Sequence, residues 1–178
     1  SKGAVVARDA KDGKVLGSIG GRNYGTSQWD RVRAKRPPGS SFKPFGYAAA
    51  LNTGLNGAST VLTPATVLQD EPTTFWFHGK AYQPGNYHHE LFGQVTMRKA
   101  IAHSLNIPTV QLAQQTGYGA IVEVARRAGL TDIQPTPALA LGAYEVTPLD
   151  IAGGYTIFAN PGMFAKPYYI ASIGDQHG

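Results

Sequence analysis

A chain of 178 residues with 42% apolar and 15% charged residues has the length of one domain and the apolar content for a packed core, the opposite of a disordered composition. Sixteen Lys and Arg against 11 Asp and Glu give a formal charge of +5, an excess that suits an anionic partner or surface without naming one. The lack of cysteine excludes disulfides, thiol nucleophiles and thiolate metal sites, and no apolar run reaches the roughly 20 residues of a membrane span.

Residues 3–8 and 14–19 are short runs rich in Val, Ile and Ala, joined by Asp9-Ala10-Lys11-Asp12-Gly13. The Asp-Gly signal predicts a β-hairpin that ends at Gly20-Gly21. Residues 22–39, with Pro37, Pro38 and Gly39, have no period and predict a loop. Four of its residues 31–36 are basic, but none alternates with an aromatic, so a solvated loop is favoured over a nucleic-acid patch. Ser40, as a capping residue, then opens an Ala-rich helix with almost no charge, which carries Pro44 in its first turn and stops near Gly54. Residues 55–95 are turn-rich, with no order assigned. Helices follow over 96–102, from about Pro108 to Gly117, over 118–128 up to Gly129, and from Thr147-Pro148 to Ala159. Asn160-Pro161-Gly162 is a turn, and 168–173 reads as a strand. There is no repeat, linker or signal-peptide pattern, so residues 1–178 are taken as one domain. A chain that opens at Ser1-Lys2-Gly3 and stops at Asp175-Gln176-His177-Gly178 reads as an excised piece.

Ser40 and Lys43 are three residues apart on a helix, hence on one face. A serine hydroxyl attacks poorly unless a neighbour takes its proton, and a lysine whose neutral form is favoured can do so. The helix N-terminus adds N–H groups toward developing negative charge. By chance a Ser-x-x-Lys occurs in about every second chain of this length, and a capping serine with a solvated lysine is the bland alternative. This one is the sole Ser-x-x-Lys in the chain and opens an apolar helix. Ser104 and Asn106 sit at a break between helices. Alone they read as caps. With Ser40 and Lys43 they supply a second hydroxyl to pass a proton and an amide to orient lysine and substrate.

The segment Arg36-Pro37-Pro38-Gly39-Ser40-Ser41-Phe42-Lys43-Pro44-Phe45 resembles the nucleophile motif of class A penicillin-binding proteins. The first hairpin resembles that family's, and Tyr82-Gln83-Pro84-Gly85-Asn86-Tyr87, Val95-Thr96-Met97-Arg98, Ser104-Leu105-Asn106-Ile107-Pro108 and Leu141-Gly142-Ala143-Tyr144-Glu145-Val146-Thr147-Pro148 match its later landmarks in order. The resemblance implies an α/β (α+β) fold of the penicillin-binding protein and serine β-lactamase type, an antiparallel sheet with a helical middle region. It also implies a D-Ala-D-Ala transpeptidase that cross-links peptidoglycan stem peptides and is acylated by β-lactams. Ser40 becomes the nucleophile, Lys43 its proton acceptor, Ser104 the proton shuttle to the leaving amine, and Asn106 the holder of Lys43 and the substrate amide. The implied setting is the outer face of the bacterial cytoplasmic membrane, in a parent with a glycosyltransferase domain and a membrane anchor.

One family motif is absent: Lys-Thr/Ser-Gly, on a strand that binds the substrate carboxylate and gives one of two oxyanion donors. Lys11-Asp12-Gly13 is nearest in letters but belongs to the hairpin turn. The expectation is a domain truncated before its C-terminal strands and weakly active alone, since one lost oxyanion donor can cost about 10²–10³ in rate. The alternatives are a D,D-carboxypeptidase or β-lactamase-like hydrolase using the same serine, and a non-catalytic fragment that grips wall peptides or partner proteins. His88-His89 with Glu90 are too isolated to make a metal site. Gly20-Gly21 precedes a loop and not a helix, so there is no phosphate cradle, and no cofactor is expected. Trp29, Trp76 and the tyrosines read as core or groove wall.

Overall fold

The computed structural model describes residues 3–87 and 90–174. His88 and His89, weighed above as ligands, lie outside the described residues, as do the first two and last four residues. The chain divides into two compact units. One comprises Ser1–Arg36, Arg127–Leu130 and Val146–Gly178, the other Pro37–Arg126 and Thr131–Glu145.

The first unit opens with the expected hairpin, β1 (Val5–Arg8) against β2 (Val15–Ile19), antiparallel with Val5 opposite Ile19. Gly13 sits at φ 88° in the turn. A Cβ there would meet the Lys166 carbonyl oxygen at 2.2 Å, so glycine is required both for the φ and for the close approach. Helix α5 (Pro148–Gly154) starts on a capping box, in which Asp150 N–H donates to Thr147 Oγ1 and Thr147 N–H to the Asp150 carboxyl. The single helix expected over 147–159 is broken at Tyr155, and α6 (Thr156–Ala159) is a separate turn. The paired glycines 153 and 154 weaken the helix there. Thr156 Oγ1 donates back to Gly153 O and accepts from Ala165 N–H, which turns the chain. The strand expected over 168–173 reduces to one parallel bridge, Lys14 to Tyr168, because no neighbour continues the ladder past Tyr168 among the described residues.

The second unit carries four helices and four strands. A 3-10 turn, Gly39–Phe42, runs into α1 (Lys43–Leu51). Ser40 is therefore not the helix cap: the N-cap is Phe42, which makes no side-chain bond, and Ser40 lies one turn earlier. The unordered stretch 55–95 resolves into β3 (Val67–Asp70), β4 (Phe75–Phe77), β5 (Lys80–Tyr82) and β6 (Gly93–Thr96). Strands β3 and β6 pair antiparallel with Leu68 opposite Val95 and Asp70 opposite Gly93. Strands β4 and β5 form a tight hairpin over His78-Gly79, both at positive φ, the geometry a two-residue turn demands. Trp76 is exposed on that hairpin and Trp29 on the loop of the first unit. Both were expected in a core or groove wall. Among the described residues no element covers the outward face of the two-stranded β4–β5 ladder at Trp76.

Helix α2 (Met97–Ala102) is capped by Thr96, whose hydroxyl accepts from Lys99 N–H. Helix α3 (Asn106–Thr116) ends at Gly117, φ 88°, and α4 (Tyr118–Arg127) follows at once. A last 3-10 turn, Pro137–Leu141, ends at left-handed Gly142. Helix α1 lies against α3 and α2, and β3 and β6 close the other side. The shared core is Tyr47, Ala50, Leu62, Leu68, Val95, Met97, Ala100, Leu105 and Leu112. Burial of apolar area holds these helices in place, at roughly 25 cal/mol per Å². That packing sets the first residue of α1 against the first residue of α3.

Candidate active site

Ser40 is exposed in the 3-10 turn, and its carbonyl accepts the backbone N–H of Lys43. In a 3-10 turn residues i and i+3 eclipse, so Ser40 and Lys43 share one edge. Lys43 is only 2% exposed. Its Nζ donates to Ser104 O at 2.6 Å, Ser104 Oγ at 3.0 Å, Asn106 Oδ1 at 2.7 Å and, more weakly, Leu105 O at 3.4 Å. Ser104 and Asn106, 61 and 63 residues further along, thus meet Lys43 directly. Ser40 Oγ is not among the four acceptors of the Lys43 amine.

Burial pushes the Lys43 amine down from 10.5 to about 8. The four oxygens favour the ammonium, and desolvation outweighs them. At pH 7 the neutral, proton-accepting form is then roughly 300-fold more populated than for an ordinary lysine.

Ser104 sits at φ 53°, a left-handed conformation that non-glycine residues avoid at a cost of about 1–3 kcal/mol. The kink ends α2 and turns both the carbonyl and the hydroxyl of Ser104 onto Lys43. Asn106 spans two contacts: Oδ1 accepts from Lys43, and Nδ2 donates to Gly85 O at 2.7 Å. Helix α3 has no side-chain cap from its own N-cap residue, Leu105. Asn86 replaces it: its Oδ1 accepts from Asn106 N–H at 2.9 Å and Ile107 N–H at 3.4 Å. In the sequence Asn86 stands only within the Tyr82-Gln83-Pro84-Gly85-Asn86-Tyr87 landmark, and Asp70, behind it, belongs to no motif. Beside Ser104 lies a cavity of about 180 Å³, lined by Asn86, Tyr87, Glu90, Phe92, His103 and Leu105. Ser40 is further fixed from Gly142, whose carbonyl accepts Gly39 N–H at 3.2 Å.

A solvent-facing serine, an eclipsed lysine with a lowered pKa, a second hydroxyl and an oriented amide can carry acyl transfer by way of an ester on Ser40. Comparison with known proteins assigns the class. The family model "Penicillin binding protein transpeptidase domain" matches residues 3–177. The chain belongs to that family.

Over 178 residues it is 38% identical to penicillin-binding protein 1A of Aquifex aeolicus (strain VF5), covering 99% of this chain and 24% of that protein. It is 34% identical to the Pseudomonas aeruginosa penicillin-binding protein 1A, over 100% of this chain and 21% of the relative. The chain therefore spans about a quarter or less of the curated relatives it matches. The crystal structure of penicillin-binding protein 1A from Haemophilus influenzae superposes with TM-score 0.87 at 34% identity, covering 99% of this chain and 26% of that one. The PonA1 protein of Mycobacterium tuberculosis, solved in complex with penicillin V, superposes with TM-score 0.78 at 26% identity, over 92% of this chain and 45% of that one. The mixed helix and sheet architecture is that of penicillin-binding transpeptidase domains, as the sequence resemblance implied.

Proposed function

We propose that this chain carries the acyl-transfer residues of a D-Ala-D-Ala transpeptidase that cross-links peptidoglycan stem peptides, and that residues 1–178 are part of one such domain. The observation that carries the reading is the buried Lys43 amine, gripped by Ser104 and Asn106 and one 3-10 turn after Ser40, whose carbonyl accepts the Lys43 N–H. Neutral Lys43 takes the Ser40 proton as Ser40 Oγ attacks the carbonyl of the penultimate D-Ala. The peptide C–N bond breaks, and the proton passes by way of Ser104 to the departing D-Ala amine. An amine of a neighbouring stem then attacks the Ser40 ester and takes the acyl group, restoring the serine. A β-lactam presents the same carbonyl in a ring, so opening leaves the whole drug attached. By the same reading the parent faces the outside of the cytoplasmic membrane and joins this domain to a glycosyltransferase and an anchor. Among the described residues, no helix is long and apolar enough to cross a membrane.

Intact mass after incubation with benzylpenicillin tests the chemistry. The expected result is one penicillin per chain, and none on Ser40→Ala. With no Lys-Thr/Ser-Gly in the sequence, the adduct should form about 10²–10³ more slowly than on a chain that includes that motif. Equal modification of parent and Ser40→Ala, or of neither, overturns the assignment.

A further inference from the structure

Behind Asn106 lies a buried polar pair that the acyl-transfer chemistry does not use. Asp70, on β3, is 0% exposed, and its described partners are two neutral donors. Asn86 Nδ2 donates to Asp70 Oδ1 at 2.7 Å and Phe92 N–H to Oδ2 at 3.0 Å. Asn86 is itself 8% exposed, and its Nδ2 also donates to Glu90 O at 2.9 Å. With Oδ1 taking Asn106 N–H and Ile107 N–H, both ends of this amide are used. Asn86 Nδ2 thus meets two acceptors, the Asp70 carboxyl and the Glu90 carbonyl. Together they hold the Asn86 amide with its oxygen toward α3, where it accepts the first two N–H groups of the helix.

We propose, resting on the acyl-transfer reading of Ser40 and Lys43, that Asp70 and Asn86 are positioning residues that set the orientation of Asn106 and so the seat of the Lys43 amine. Matched partners for these two buried polar groups, from β3, Asn86 and α3, fix one donor and acceptor pattern, and a flip of the Asn86 amide faces donor with donor at α3 and acceptor with acceptor at Asp70 and Glu90 O. The pair thus works on the lysine through a chain of three contacts: Asp70 to Asn86, Asn86 to the first turn of α3, and Asn106 to Lys43.

The test exploits that polarity. Asp70→Asn places a second amide against Asn86, so one contact must fail. Asn86→Asp opposes two carboxyl groups. The two changes together restore a donor to an acceptor across the same gap and keep an acceptor toward α3, and only the Glu90 carbonyl loses its donor. Two readouts are taken on the full chain: the rate of acylation by a fluorescent penicillin, and the titration of the Lys43 Cε resonance in ¹³C-lysine-labelled protein, assigned with Lys43→Arg. Each single change is expected to slow acylation by up to about 100-fold, the scale of a misplacement of roughly 1 Å. Each should also raise the Lys43 titration midpoint, as water enters to meet the freed N–H groups of α3. The double change should recover part of both, to a rate above and a midpoint below either single. If both singles leave rate and titration unchanged, or the double is folded but no better than the worse single, the proposal is overturned. A single change that unfolds the chain, checked by thermal melting, leaves the double to decide alone. If the parent itself takes no penicillin, the acyl-transfer reading fails separately, and the Lys43 titration still tells whether the pair controls the lysine.

Discussion

At the scale of single residues, the Lys43 amine decides how the site responds to pH. Burial holds it near 8, so lysine as proton acceptor becomes active as pH rises. Acylation by penicillin, measured as a second-order rate from pH 6 to 10, should rise tenfold per unit below 8 and level off above it. A rate that falls through pH 8 would assign the active form to the ammonium instead. Ser40, Lys43, Ser104 and Asn106 stand out as candidates in the sequence because two of their relations are local: i to i+3 within a turn, and i to i+2 at a helix break. The structure brings Lys43, Ser104 and Asn106 into contact. Asn86 and Asp70 were not legible. Asn86 caps a helix that begins 20 residues later, and no spacing rule links a loop asparagine to a distant first turn. A buried aspartate in a four-residue strand has no local signature either.

At the scale of elements, the turn that presents Ser40 depends on two glycines. Gly39 and Gly142 have φ 57° and 68°, and a Cβ on Gly142 would stand 2.2 Å from Gly39 O and 2.7 Å from Gly39 N. Backbone atoms cannot yield as a side-chain tip can. Gly142→Ala should therefore destabilise by about 2 kcal/mol or more, from left-handed strain and from the clash, and should shift the 3-10 turn and slow acylation. Gly162→Ala is the control: φ is 77° but nothing lies within 4 Å of the added carbon. Its urea midpoint should drop by the strain alone, with acylation untouched. Equal acylation in the two variants would show that the glycine contact does not hold Ser40. Elements with strong punctuation were legible: the Asp-Gly hairpin, the Thr147 cap, the Gly117 and Gly129 stops. The β3–β6 ladder was not, because strands of four residues with mixed exposure are defined by a partner far along the chain. The 168–173 segment failed the other way. Its β-branched and aromatic pattern is real, but among the described residues only Tyr168 forms a β-bridge.

At the scale of the molecule, the low charge content has a cost that pH can reveal. The packing of the second unit buries Lys43, so the folded chain holds its proton less tightly than the unfolded one. Between about pH 8 and about 10.4 the unfolded state therefore binds more protons, and stability rises with pH through that window. The gain approaches about 3 kcal/mol. Tyr47 acts in the opposite sense above it. Burial, partly opposed by its hydrogen bond to Thr109, pushes the phenol up to about 12. The folded state then retains a proton that the unfolded state loses from pH 10 upward, and stability falls. Tyr82, Tyr118 and Tyr155 are raised by burial as well and add to that fall. The unfolding free energy in urea should therefore climb from pH 8 to about 10 and then decline. In Lys43→Met the climb should vanish while the decline remains, since every tyrosine is still present. A parent curve that is flat from pH 8 to 10, or a variant that climbs with it, would mean that Lys43 is solvated in the folded chain, and the activated-lysine chemistry would lose its physical basis.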